Sequence, residues 1–148
     1  MDELDLGLRN HLYASFAQTA NAATPGDVAE AFGLAEEDVA DAYRRLHDAH
    51  ALVLEPGTTR IRMLNPFSAV ETQHRVEAGG RSWFANCAWD ALGIPGALHT
   101  DGAVHSRCPD CGEQLELEVH DGELVRGAEL LVHFVVPARH WWDDIAFT

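Results

Sequence analysis

The hydrophobic period of this chain changes once, near Asn65-Pro66, and that change limits the fold more than any other feature. Before it, Leu4, Leu8, Leu12 and Phe16 recur every four residues, as on one face of an amphipathic helix that fades in the Ala/Asn/Thr stretch around Asn21. After Phe67, apolar residues mostly alternate with polar ones, the period of half-buried strands. A helical N-terminal part followed by an antiparallel, strand-rich part is an α+β chain, with expected lobes of 1–65 and 66–148.

Within the first lobe, Thr24 is placed to cap a second, short helix with Pro25 in its first turn, Asp27 completing an acidic first turn and Gly33 stopping it. A third helix, Glu36 to about His50, carries Val39, Tyr43, Leu46 and His50 on one face and turns Arg44 and Arg45 outward. Leu52 to Leu54 and Ile61 to Leu64 flank Pro56-Gly57-Thr58 as a β-hairpin. Three helices and a hairpin is the order of a winged helix-turn-helix. In the second lobe, Val70 to Val76 and Ser82 to Phe84 surround the turn Gly79-Gly80, and Asn86 to Leu92 is a short apolar helix ended by Gly93 and Pro95. Ala103 to Ser106, Gln114 to Val119, Glu123 to Val125 and Leu130 to Val136 read as further short strands.

A winged helix invites DNA, and the charges oppose it. Acidic residues outnumber basic ones 24 to 10, giving a net charge of -14 that repels phosphate. Glu36, Glu37, Asp38 and Asp41 crowd the would-be recognition helix, leaving Arg44 and Arg45 to meet phosphates. Nucleic acid is therefore not the expected partner. No apolar run approaches the roughly 20 residues that span a bilayer, and the start Met1-Asp2-Glu3-Leu4-Asp5 lacks the basic region of a signal peptide, so a cytoplasmic, membrane-free protein is expected. Three cysteines in a chain large enough to bury a core fit reduced thiols, ligands or a nucleophile better than a disulfide framework.

The block Trp83-Phe84-Ala85-Asn86-Cys87-Ala88-Trp89-Asp90-Ala91-Leu92-Gly93-Ile94-Pro95 carries the chemistry. With Asn86 as helix cap, Cys87 falls in the first turn, where unpaired N–H groups and the helix dipole favour a thiolate and depress its pKa. Asp90, three residues on, shares the face and is close enough to act on the same substrate. The bland alternative is an inert cysteine beside an Asp that satisfies the helix N-terminus.

These residues resemble the alkylmercury (organomercurial) lyase family. Cys87 and Asp90 match its Cys-Ala-x-Asp-x-Leu pattern, with weaker likeness in Asn65-Pro66-Phe67-Ser68, Val132-His133-Phe134-Val135-Val136-Pro137 and Trp141-Trp142-Asp143-Asp144-Ile145. The resemblance implies a helical, winged-helix-like lobe before an antiparallel-sheet catalytic lobe. It implies cleavage of a carbon–mercury bond by protonation of carbon, with Cys87 binding the metal, Asp90 relaying the proton, Hg(II) as product or ligand, no cofactor required and small thiols removing the metal. A soft metal selects sulfur, and a carboxyl group can act as general acid. The family pattern also places a second catalytic cysteine at or immediately beyond Phe147-Thr148, and within these residues only Cys108 and Cys111 are left to substitute for it.

Cys108-Pro109-Asp110-Cys111-Gly112 has the shape of half a zinc knuckle. Zinc there would have to recruit Cys87, a histidine such as His99, His105 or His140, or a second subunit of a homodimer. That leaves a second reading of the whole chain as a non-catalytic module, in which Cys87, Cys108 and Cys111 hold zinc or sense a soft metal. A third keeps the fold and uses Cys87 and Asp90 on a non-mercurial substrate. The nine histidines show no compact ligand spacing, and Trp141-Trp142 is expected to close the core.

Overall fold

The structure, a computed structural model, describes Asp2 to Ile145. It is α+β and divides into two compact units between Glu71 and Thr72.

The first unit begins with α1 (Glu3–Thr19), capped by the Asp2 carboxylate, which accepts from the Asp5 N–H at 2.8 Å. Its buried seam is Asp5, Leu8, Leu12 and Phe16, whereas Leu4 is 38% exposed. The expected four-residue row thus slips by one position at its start. A strict spacing of four drifts around a helix of 3.6 residues per turn, and the row is completed at i−3 instead. A carboxylate consequently lies in the seam. The guanidinium of Arg45 reaches it with Nη2 at 2.7 Å and Nε at 3.2 Å from Oδ1, so Arg45 is turned to α1 rather than outward.

The second helix, α2 (Pro25–Phe32), is defined by a reciprocal cap. The Thr24 hydroxyl accepts from the Asp27 N–H, the Asp27 carboxylate accepts from the Thr24 N–H, and Gly33 closes the helix at φ 67°. In α3 (Glu36–Asp48) Val39, Ala42, Tyr43 and Leu46 are buried. His50, expected on that face, lies past the helix end, exposed, with φ 59°. The Tyr43 and Tyr13 hydroxyls donate to the carbonyls of Ala23 and Ala51, each at 3.0 Å, which satisfies polar tips that would otherwise be costly against the core. The strands β1 (Val53–Leu54), β2 (Ile61–Leu64) and β3 (Phe67–Ser68) pair antiparallel in sequence order, and Phe67 meets Phe16 at 5.5 Å between ring centroids. Both arginines of α3 are engaged inside this unit, Arg45 with Asp5 and Arg44 with Asp41.

The second unit is an antiparallel sheet in the order β5-β4-β6-β7-β8, formed by β4 (Arg75–Ala78), β5 (Arg81–Ala85), β6 (Gly102–Arg107), β7 (Gln114–His120) and β8 (Glu123–Arg126). Gly79 and Gly80, at φ 55° and 76°, supply the two left-handed positions that a tight β4–β5 hairpin needs. Val76, Ala78, Trp83, Ala85, Val104 and Ser106 form its buried face, covered by Ala91, Ile94 and Pro95 of α4 (Ala88–Leu98).

Three expectations fail here. The helix does not stop at Gly93 or Pro95 but runs to Leu98, closing with Thr100 N–H on the Pro95 carbonyl at 3.1 Å. Proline forfeits one helical bond, yet its ring is buried over the sheet, where a Cβ on Gly102 would lie 2.7 Å from Pro95 Cγ. The missing side chain at Gly102 makes the space in which the proline is kept. Leu130 to Val136, in turn, is not a strand. The chain leaves the ladder at Gly127, φ 86°, where the Leu130 N–H turns back onto the Gly127 carbonyl at 3.0 Å, and Leu131 is 94% exposed. An apolar run broken only by His133 carries no period by which to distinguish a strand from irregular chain. The 3-10 helix Ala138–Asp143 that follows buries none of its residues. Trp141 and Trp142 are half-buried rather than core-closing; the Trp141 ring packs on Phe134 at 4.8 Å, and its indole N–H donates to the Val136 carbonyl at 3.0 Å.

Candidate active site

The position of Cys87 follows from β5. That strand ends at Ala85, and two residues later Cys87, in extended conformation (φ -148°, ψ 177°), is itself the N-cap of α4. Its sulfur accepts from the Asp90 N–H at 3.5 Å. Asn86 is therefore not the cap expected from the sequence. Its side-chain amide instead donates to Asp90 Oδ2 at 3.1 Å, so the carboxyl group is held by the residue preceding the cysteine. Cys87 and Asp90 do lie together, as N-cap and third helical residue of the same turn.

Their electrostatics reverse the expectation of an activated thiolate. Burial pushes the Cys87 thiol up and the charge of Asp90 adds to it, outweighing the N–H groups of Asp90 and Trp89 that pull it down. Asp90 is also raised, by burial, against the hydrogen bonds from Asn86 and Cys87. A thiol and a carboxyl group that both hold their protons more tightly than usual make a proton-retaining pair. Trp89, 61% exposed, stands between them in sequence as a large apolar surface open to solvent.

Cys108 directly follows β6, and the N–H groups of Cys111 and Asp110, with the Cys111 thiol, lower its pKa. The downward shift expected for Cys87 at the helix terminus is therefore found instead at Cys108, in a turn. Among the described residues no three His, Cys, Asp or Glu side chains converge as a metal-holding group, so neither Cys108 nor Cys111 joins Cys87 and Asp90 as a substitute thiolate. The zinc expected at Cys108 and Cys111 finds no further ligand within the described chain. The histidines considered for it are occupied or remote: His105 Nδ1 lies 2.7 Å from Glu116, His140 Nδ1 lies 2.9 Å from Asp143, and exposed His99 ends α4. A tetrahedral site needs four donors. The second cysteine expected at or beyond Phe147-Thr148 falls outside the described residues.

One pair went unnoticed in the sequence. His74 and Ser106, 8% and 5% exposed, face each other across β4 and β6 with Nδ1 and Oγ 2.8 Å apart, and burial lowers the His74 pKa. The His74 carbonyl accepts from the Ala85 N–H at 2.9 Å, and the Thr72 hydroxyl donates to the Ala85 carbonyl at 2.6 Å. These bonds fix the end of β5 from which Cys87 follows. The alternation His74, Val76, Ala78 was the available signal, since all three share the inward face.

No curated protein matches the chain. Among solved structures, the crystal structure of the mercury-bound form of MerB2 is similar, with 25% sequence identity, a TM-score of 0.68 and coverage of 85% of this chain. The chain spans 60% of the length of that protein. The MerB alkylmercury lyase family model matches residues 67–148, which contain Cys87, Asp90, His74 and Ser106. The chain belongs to the alkylmercury lyase family.

Proposed function

We propose that the protein cleaves a carbon–mercury bond by protonolysis, with Cys87 as the metal-binding sulfur and Asp90 as the group that passes the proton. The reading is carried by one observation: thiol and carboxyl group occupy the same helix N-terminus, with the Asp90 N–H on the Cys87 sulfur, and burial raises the pKa of both.

An organomercurial carried on a small thiol exchanges onto Cys87, which gives its proton to the departing thiolate. Asp90 then delivers a proton to the carbon as the carbon–mercury bond breaks, releasing hydrocarbon. A small thiol supplies the second sulfur to Hg(II), and its proton restores Asp90. Atoms balance, and no redox step is needed. Burial raises the Asp90 pKa, the direction that favours a general acid. Asn86 keeps its carboxyl group beside the sulfur, and exposed Trp89 offers an apolar surface to an alkyl or aryl group.

The test is benzene release from a phenylmercury salt in a small-thiol buffer, measured with mercury retention. Asp90→Asn should abolish release and leave retention, because an amide cannot deliver the proton. Cys87→Ser should weaken retention at this site and abolish release, because a hydroxyl is a hard ligand. Benzene release by Asp90→Asn at the parent rate would overturn the assignment.

A further inference from the structure

The turn between β6 and β7 presents two sulfurs that the proposed reaction does not use. Cys108 N–H donates to the Glu113 carbonyl and Gly112 N–H to the Cys108 carbonyl, each at 2.9 Å, and Gly112 takes φ 75° to close the loop. This clamp folds Cys111 back so that its thiol and the Asp110 and Cys111 N–H groups bond to the Cys108 sulfur. Cys111 is exposed and Cys108 half-buried, so both are open to a solute. We propose that Cys108 and Cys111 form a second soft-metal site, separate from Cys87, which holds Hg(II) as a two-coordinate bis-thiolate.

The donor count decides the metal. Two sulfurs with no third ligand among the described residues leave a tetrahedral zinc half-bound, whereas a soft d10 cation that favours linear two-coordination is complete with them. On binding, two S–H bonds break, two Hg–S bonds form and two protons pass to buffer. Asp110 and Glu113 add negative charge beside the turn. The position suits a holding site. Ser106 and Ala85 flank His74 on the two neighbouring strands, and Cys108 and Cys87 each follow two residues later. Two strand spacings, about 10 Å, separate these strands, so the dithiol lies at the same end of the sheet as Cys87. The choice of mercury rests on the organomercurial reading; the dithiol geometry does not.

Cys87→Ser protein, which keeps only Cys108 and Cys111 as thiols, is loaded with mercuric chloride, dialysed against excess free cysteine and assayed for mercury by elemental analysis. About one mercury per chain should remain, because a chelating pair gains an effective concentration that a monothiol competitor lacks. Adding Cys111→Ser, an exposed position, should weaken retention roughly 10²-fold, and circular dichroism melts confirm that each variant is folded. Zinc chloride carried through the same dialysis should be lost. No retention by Cys87→Ser, equal retention after Cys111→Ser, retention of zinc, or mercury-linked dimers by size exclusion would each overturn the proposal. No carbon–mercury bond is broken in this experiment, so its failure is distinct from failure of the lyase reading.

Discussion

The backbone N–H of Asp90 points at the sulfur of Cys87, 3.5 Å away, while the Asp90 carboxyl group is held by Asn86 on the other side of that cysteine. One residue therefore caps the sulfur with its backbone and raises the thiol's pKa with its side chain. The helix terminus supplies position, and burial sets protonation.

That division predicts an order of thiol reactivity. Iodoacetamide near neutral pH should label Cys108 before Cys87, because the thiolate is the nucleophile and, of these two, Cys108 is shifted down and Cys87 up. Peptide mapping by mass spectrometry measures this directly. Labelling of Cys87 should rise steeply as the solution is made alkaline; preferential labelling of Cys87 at pH 7 would contradict the effect of burial.

Asp5 and Arg45 give a stability prediction. The Arg45 guanidinium holds the buried Asp5 carboxyl group below the usual range. Arg45→Ala should cost about 2 kcal/mol, less than loss of a fully buried partner, since Arg45 itself is half exposed. A depressed folded pKa means this contribution is complete above about pH 4, the unfolded value, and is lost as pH falls through the folded one. Urea midpoints from pH 7 to pH 2 should therefore show a steeper acid loss in the parent protein than in Arg45→Ala.

At Gly102 the prediction concerns space. An alanine Cβ would sit 2.7 Å from Pro95 Cγ and 3.2 Å from the Glu77 carbonyl oxygen. Neither ring nor strand yields easily, so Gly102→Ala should destabilise by about 1–3 kcal/mol. A thermal melt of Gly102→Ala beside Gly96→Ala, where a Cβ meets nothing within 4 Å, isolates the clash from the change of glycine itself.

Ser106→Ala should cost about 1–3 kcal/mol by leaving His74 Nδ1 without its buried partner. Burial also keeps His74 neutral by lowering its folded pKa. Its contribution to stability is then full above about pH 6.5, the unfolded value, and is lost as pH falls toward the folded one. His74→Gln should flatten that part of the profile in urea denaturation; an unchanged slope between pH 7 and pH 5 would exclude His74 as the source.

Local chemistry was legible wherever one short segment sufficed. Thr24, Asp27 and Gly33 bound α2 because caps and left-handed glycines act within a turn, and Cys87 and Asp90 meet because three residues span less than one helical turn. The change of period at Asn65-Pro66 likewise announced α+β. What depended on distant residues was decided only by packing. Arg45 looks outward until α1 brings Asp5 beneath it, 40 residues away in the chain. Pro95 reads as a stop until Gly102 makes room for its ring. The Cys87 thiol pKa reads as depressed from its helix and is raised once the fold removes water from it, since desolvation is a property of the surroundings and not of the segment.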